Sequence, residues 1–341
     1  MLTEKQFSDI REELLNCKRP LFFFHDDPDG LCSFLLLYRL INEGHGMVVK
    51  TTPNIDDKFI KKVEEYDPDK IFVVDIALME QSFIDAVKKP IVWIDHHELV
   101  DRDKVKYYNP RKQNPKDNTP VSYLCYKVAN QDQWISMVGV IGDWTIPDFY
   151  DEFKKEFPDL LEKDGNPGTI LYETKLGKLV RIFSFILKGK TQDAMKSVKI
   201  LTRIRSPYEI LDQKTPAGKF LYKRFEKINQ EYETILGDIL KQKYTDEIVV
   251  YLYQADKMSF TGDLANELLH RLPNKIIILG REKNGEIKLS MRSGGKVNLL
   301  KILQKALVGI QGYGGGHEYA CGACVKKEDF EQFIKNIREQ L

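Results

Sequence analysis

His25, Asp26, Asp27 and Asp29 crowd into five residues of the stretch LFFFHDDPDG, positions 21–30, with no basic side chain among them. Carboxylates packed around an imidazole repel one another unless a cation fills the space between them. With Pro28 and Gly30 as punctuation, the same residues also read as an acidic surface turn. Taken alone, the loop supports both readings equally. Two further clusters add to it: Asp75 closes the apolar run IFVVD, and Asp95-His96-His97 follows the apolar run IVWI. A fourth candidate, Asp143, stands in QDQWISMVGVIGDW, a segment apolar around most of its circumference. An unpaired carboxylate is expensive there, and either a metal ion or the backbone amides of a helix end would relieve it.

The elements that must position these groups follow a simple rhythm. A covering helix over 1–18 precedes strand 21–24, and helix 30–43 ends at Gly44, a C-cap residue type. Strand MVVK, a helix over 56–65, the strand ending on Asp75, a short helix over 79–88 and strand 91–94 come next. Repeated strand–helix units with continuously apolar strands predict an α/β fold with a largely parallel sheet covered on both faces. In such a sheet the strand ends share one crevice. Three successive strand ends carrying His/Asp groups therefore point to one site. Two helices are expected over 118–130 and 132–144, a helical extension over 146–205, and a long amphipathic helix over 214–243. Near residue 245 a second domain begins, with strands 248–254, 275–283, 286–293 and 318–325, helices 261–271 and 297–308, and a final helix. Asn284-Gly285 between two β-like runs predicts a hairpin. The expected divisions are 1–145, 146–244 and 245–341.

Composition narrows the class. At 341 residues, with 42% hydrophobic and 30% charged residues, the chain can build more than one proper core. A formal net charge of +1 provides no global basic field for long duplex nucleic acid, although a local groove is compatible with it. No apolar run approaches the ~18 residues of a membrane span, and the charged N-terminus MLTEKQFSDIREELL reads as a helix, not a secretory signal. Five cysteines at irregular spacing make no disulfide framework. Cys321 and Cys324 form a lone CxxC, read as two packed thiols ahead of a zinc or redox pair. These features predict a cytoplasmic protein that does not engage membranes. His45 and His270 have no chemical company and read as ordinary surface or helix residues.

HxDxDG at 25–30, Asp75 at a strand end, Asp95-His96-His97, Gly142-Asp143 and the later GYGGGHEYACGACV at 312–325 together resemble the DHH phosphoesterase superfamily. The resemblance covers nearly the whole chain, with four catalytic motifs within 21–143 and a GGGH-type DHH-associated domain from about 245. It implies a parallel-sheet catalytic domain, connecting helices and a smaller α/β domain, with the active site in the cleft between the two. It also implies a pair of divalent ions. Asp75 would bridge both, His25 and Asp27 would complete one site, and Asp29, His96 and Asp143 the other. His97 would face the substrate phosphate or support the ligands, and with Asp75 it is the expected catalytic pair. Imidazole plus carboxylate without thiolate suits Mn²⁺, with Mg²⁺ or Co²⁺ as substitutes, and two such ions clamp a phosphoryl group for in-line attack.

Only one residue separates His25 from Asp27, a short form similar to RecJ and its archaeal relatives and unlike the small-nucleotide and pyrophosphatase branches. Either His25 or Asp26 fills the outer ligand position; alternation along an extended loop favours His25, Asp27 and Asp29 on one side. In the second domain, Ser290, Arg292, Gly314, Gly315, Gly316 and His317 resemble the family's substrate-binding elements. Consecutive glycines expose N–H groups that cradle phosphate, and a guanidinium grips it bidentately; the plain alternatives are a tight turn and a solvated strand residue. The expected activity is a Mn²⁺-dependent phosphodiesterase or exonuclease that releases nucleoside monophosphates from short single-stranded RNA, DNA or dinucleotides. Competing readings are a RecJ-like exonuclease on longer strands, a 3′-phosphoadenosine 5′-phosphate phosphatase and a non-catalytic replication scaffold. A homodimer and replication or repair partners are compatible with all of them.

Overall fold

The computed structural model describes residues 1–50, 54–254, 258–295 and 297–341. Two compact units divide it, Met1–Phe225 and Glu226–Leu341.

The first unit opens with α1 (Glu4–Leu15), β1 (Pro20–His25), α2 (Pro28–Ile41), β2 (His45–Val49), β3 (Asn54–Ile55), α3 (Ile60–Tyr66) and β4 (Lys70–Val74). It continues with β5 (Leu78–Met79), α4 (Gln81–Val87), β6 (Ile91–Ile94), β7 (Val105–Tyr108), α5 (Val121–Ala129) and α6 (Gln133–Gly142). Then come α7 (Tyr150–Glu156), α8 (Pro167–Glu173), α9 (Lys175–Ile186), α10 (Thr191–Leu201), α11 (Pro207–Leu211) and α12 (Pro216–Lys241), within which the unit boundary falls. The main sheet has the order β2-β1-β4-β6-β7, with every pairing parallel. Alternation decides which helices cover which face. Leu21, Phe23, Ile71, Val73, Ile91 and Trp93 pack with Val63 of α3 and Phe83, Ile84 and Val87 of α4. Phe22 and Phe24 point the other way, each within aromatic contact of Phe34 on α2. Burial on both faces is why the strands read as unbroken apolar runs.

β7 was not expected, because VKYY is half-exposed and lacks an apolar run; it forms the sheet edge beside β6. The two-residue strands β3 and β5 pair separately in parallel and are too short to leave a periodic signal.

The second unit contains β8 (Ile248–Gln254), α13 (Thr261–Arg271), β9 (Ile276–Lys283), β10 (Glu286–Arg292), α14 (Leu299–Ala306), β11 (Gly312–His317), β12 (Ala320–Lys326) and α15 (Phe330–Arg338). Its sheet is mixed, in the order β11-β12-β10-β9-β8, with only β8–β9 parallel. One face buries Ile278, Ile287, Leu289 and Met291 against Leu299 and Leu303 of α14 and Phe333 and Ile337 of α15. The expected Asn284-Gly285 hairpin joins β9 to β10, and both residues have positive φ, 52° and 75°, as a primed turn requires. The glycine run at 312–316 is not a turn. It is a strand, exposed along its whole length at the sheet edge. Cys321 and Cys324 sit on β12 at odd separation, so they face opposite sides of the sheet. Both are buried free thiols, the first bonded to His317 O and the second to Glu286 Oε2.

Candidate metal centre

Three strand ends and one helix end converge in the first unit. β1 delivers His25, and the chain then turns into α2, whose N-cap is Asp27: its Oδ1 accepts from Gly30 N–H at 2.9 Å. A Cβ at Gly30 would lie 2.7 Å from the backbone of His25, so only glycine lets the helix start this close to the strand. Asp29 therefore reaches the centre from the first turn of α2 and not by strand alternation. Its carboxylate accepts from Val121 N–H at 2.8 Å, Ser122 N–H at 2.9 Å and Ser122 Oγ–H. It supplies to α5 the cap that Pro120 cannot.

Asp75 follows β4 in the left-handed region, with φ 57°. This is a conformation Asp tolerates better than most residues and one that gathers at functional sites. Its Oδ2 stands 3.5 Å from His25 Nδ1, and its Oδ1 stands 3.5 Å from His96 Nε2. Asp143 is the C-cap of α6, and its Oδ2 is 3.8 Å from His96 Nδ1. The preceding Gly142 lets α6 end against the loop, because a Cβ there would sit 2.7 Å from Pro28 Cβ.

Three overlapping sets of donor atoms result, each with all members within 4.8 Å of one another: His25, Asp27 and Asp75; Asp75, His96 and His97; Asp29, His96 and Asp143. All six side chains read from the sequence as metal ligands fall in these sets, together with His97. Asp26 belongs to none of them among the described residues, although its Oδ1 lies 3.6 Å from His25 Nε2.

The electrostatics of this pocket call for positive charge. Burial pushes Asp75 well above the usual carboxylate range, and the charges of Asp27 and Asp29 push it further. Burial likewise raises Asp29, and it raises Asp143 to about 9 with help from Asp29 and Asp27. Burial opposes the charged forms of His25 and Asp27 as well, but their mutual attraction overrides it, raising the imidazole and lowering the carboxylate. Asp75 Oδ2, His96 Nδ1 and Asp143 Oδ2 are buried and make no hydrogen bond among the described residues, and His25 Nδ1 is buried beside them. Buried polar atoms are normally paired. His25 Nδ1 does lie 2.7 Å from Asp27 Oδ2, but the other three have only longer approaches, and imidazole and carboxylate atoms gathered in this way fit a borderline-hard divalent cation.

Asp95, the first residue of the tripeptide, had no assigned role, and the structure supplies one. Fully buried, it accepts from His97 N–H at 3.0 Å and holds His97 Nδ1 at 2.7 Å. Burial disfavours the imidazolium of His97, yet Asp95 outweighs it and raises the pKa. Buried Asn109 braces the arrangement by donating to His97 O and Tyr107 Oη. The signal for Asp95 was its place in the Asp-His-His run; Asn109 carried none.

The second set of expected residues lies in the other unit. Met291 is in the core, so Ser290 and Arg292 occupy the opposite face of β10. Register places Arg292, Ala320 and His317 abreast, and likewise Ser290, Gly322 and Gly315. Arg292 Nε–H donates to Asn266 Oδ1 on α13 at 2.6 Å, a partner that no sequence pattern announced. On β11, Gly316 lies between these rows and Gly314 just beyond the Gly315 row. Gly316 has φ 142°, and a Cβ there would meet Ala320 O at 2.4 Å, so the close strand approach requires glycine.

Family models decide the affiliation. The DHH family N-terminal domain matches residues 21–157, and the DHHA1 domain matches residues 257–341. The chain belongs to the DHH phosphoesterase superfamily. No curated protein matches it in sequence. Among solved structures, RecJ from Thermus thermophilus in complex with Mn²⁺ superposes with a TM-score of 0.69 at 15% identity. That match covers 98% of this chain and 54% of the RecJ chain, so the DHH protein spans about half of that relative. A manganese-bound exonuclease RecJ gives 0.63 at 15% identity, covering 98% and 92% of the two chains. A pGpG-specific phosphodiesterase from Vibrio cholerae gives 0.51 at 14% identity, covering 95% and 98%. At these identities the likeness is one of fold.

Proposed function

We propose that this DHH protein is a divalent-metal-dependent phosphodiesterase that hydrolyses short oligonucleotides or dinucleotides to nucleoside monophosphates. Asp75 carries the proposal. One buried carboxylate faces a different imidazole with each oxygen, at 3.5 Å on either side, as a carboxylate shared between two ions must. In this reading His25 and Asp27 hold one Mn²⁺ and Asp29, His96 and Asp143 a second, with Mg²⁺ or Co²⁺ as substitutes. When bound, the ions lower the pKa of water and neutralise charge on the phosphoryl group.

The chain's own residues have separable tasks. Asp95 accepts from His97 Nδ1–H and favours the imidazolium, whose Nε2–H can then donate to the substrate phosphate. Asp29 ties the first turn of α2 to the start of α5, so that two elements cannot drift apart at the centre. Asn266 holds the Arg292 guanidinium on the sheet face that also carries Ser290 and His317. There, with the β11 glycines 314–316, it offers donors to a second phosphate.

The test is a length series of end-labelled RNA and DNA, from two to about twenty nucleotides, incubated with Mn²⁺. Release of mononucleotides, fastest on the shortest substrates, is the expected result. Confirmed metal binding with no product at any length would overturn the proposal in favour of a scaffold.

A further inference from the structure

The residue after Asp143 is built against local preference. α6 closes in a Schellman motif: Trp144 N–H donates to Ile141 O and Thr145 N–H to Val140 O, both at 3.1 Å. The motif places Trp144 in the left-handed region, with φ 57°. Glycine is the residue that fits there, and a bulky side chain is disfavoured. Packing covers the indole only in part. Its only ring contact among the described residues is a tilted one with Tyr172, centroids 6.2 Å apart, and it remains 44% exposed. The other two tryptophans, Trp93 and Trp134, are 0% and 5% exposed. Thus a large flat π-surface stands at a glycine position, open to solvent and one peptide bond from a carboxylate of the metal centre.

We propose that Trp144 is a base-stacking residue of the DHH centre, the platform on which a nucleobase adjoining the scissile phosphate rests. The proposal depends on the phosphodiesterase reading above and names the part of the substrate that reading leaves open. In this proposal a base covers the exposed indole face and its phosphate reaches Asp143, the neighbouring residue in the chain. Stacking is tolerant of base identity, so this contact selects base-bearing phosphodiesters without selecting a sequence.

The experiment uses the full chain and a phosphorothioate-linked dinucleotide as the binding probe. With Trp93 and Trp134 buried, quenching of tryptophan fluorescence on binding should come from Trp144 and vanish in Trp144→Phe, which retains affinity because Phe still stacks. Trp144→Gly should weaken Kd by roughly 5- to 150-fold, hold or raise Tm, and keep its metal content. Its loss in kcat/KM should be several-fold larger on an intact dinucleotide than on one with an abasic residue next to the cleaved bond. A Trp144→Gly protein that cleaves the intact dinucleotide at the wild-type kcat/KM overturns the stacking role. So does an equal loss on both substrates with a lowered Tm, which marks a structural anchor. Wild-type protein that binds and cleaves no dinucleotide overturns the phosphodiesterase reading, and the stacking role with it.

Discussion

Replacing Asp75 by Asn tests the shared-carboxylate arrangement most directly, because the change keeps shape and removes one charge. The Asp75 oxygens stand 3.5 Å from His25 Nδ1 and 3.5 Å from His96 Nε2, so one substitution weakens both halves of the centre. In the metal-free protein the loss is cheap or even favourable, since the carboxylate is buried among Asp27 and Asp29. The penalty appears only with metal. At a Mn²⁺ concentration 100 times Kd, binding stabilises the native state by about 2.7 kcal/mol. For a folding unit of ~150–250 residues this raises Tm by about 5–11 °C. Even a change in groups that merely support ligands costs about 10–100-fold in affinity; a 100-fold loss leaves about 0.4 kcal/mol at the same concentration, or about 1 °C. Thermal melts across a Mn²⁺ titration, each variant referenced to its own metal-free form, give the comparison. The expected order of metal-induced shift is wild type, then Asp143→Asn, then Asp75→Asn. A full shift and near-normal turnover in Asp75→Asn, with both lost in Asp143→Asn, would refute the bridging role.

Metal content should fall in His25→Ala and stay at the wild-type level in Asp26→Ala; loss confined to the Asp26 variant would reverse that assignment. Asp95→Asn removes the partner that raises the His97 pKa. His97 should then lose its proton at lower pH, and the alkaline limb of the kcat/KM profile should move down in pH with metal content unchanged; an unmoved limb would exclude protonated His97 from the reaction. Arg292→Ala forfeits a charge-assisted contact worth roughly 1.5–3 kcal/mol, one to two decades of kcat/KM on a dinucleotide. A chromogenic phosphodiester without a second phosphate should lose much less, and equal losses on both would show that Arg292 does not hold a remote phosphate.

Much of the first unit was legible because parallel sheets obey a rule of position. Strands buried on both faces must be apolar throughout, so the runs at 21–24, 71–74 and 91–94 announced themselves, and the first polar residues after them had to lie at one edge. His25, Asp75 and His96 could be placed together from that alone. Asp143 was visible as a charge in an oily helix, but its approach depends on Gly142 clearing Pro28, a contact between elements far apart in sequence. Other features had no local signature. β7 exists because β6 offers it a ladder to complete, not because VKYY is a strong strand. The glycines of 312–316 are extended because β12 pairs with them, where intrinsic preference allowed a turn. The partnership of Arg292 with Asn266, the orientation of His97 by Asp95 and the exposure of Trp144 were likewise set by neighbours brought near through folding. Sequence by itself determined which residue types were available and along which strands and helices they repeat. Tertiary structure decided which donors share a cation-sized space, because a few ångströms of approach between distant segments separate a ligand set from a scatter of charges.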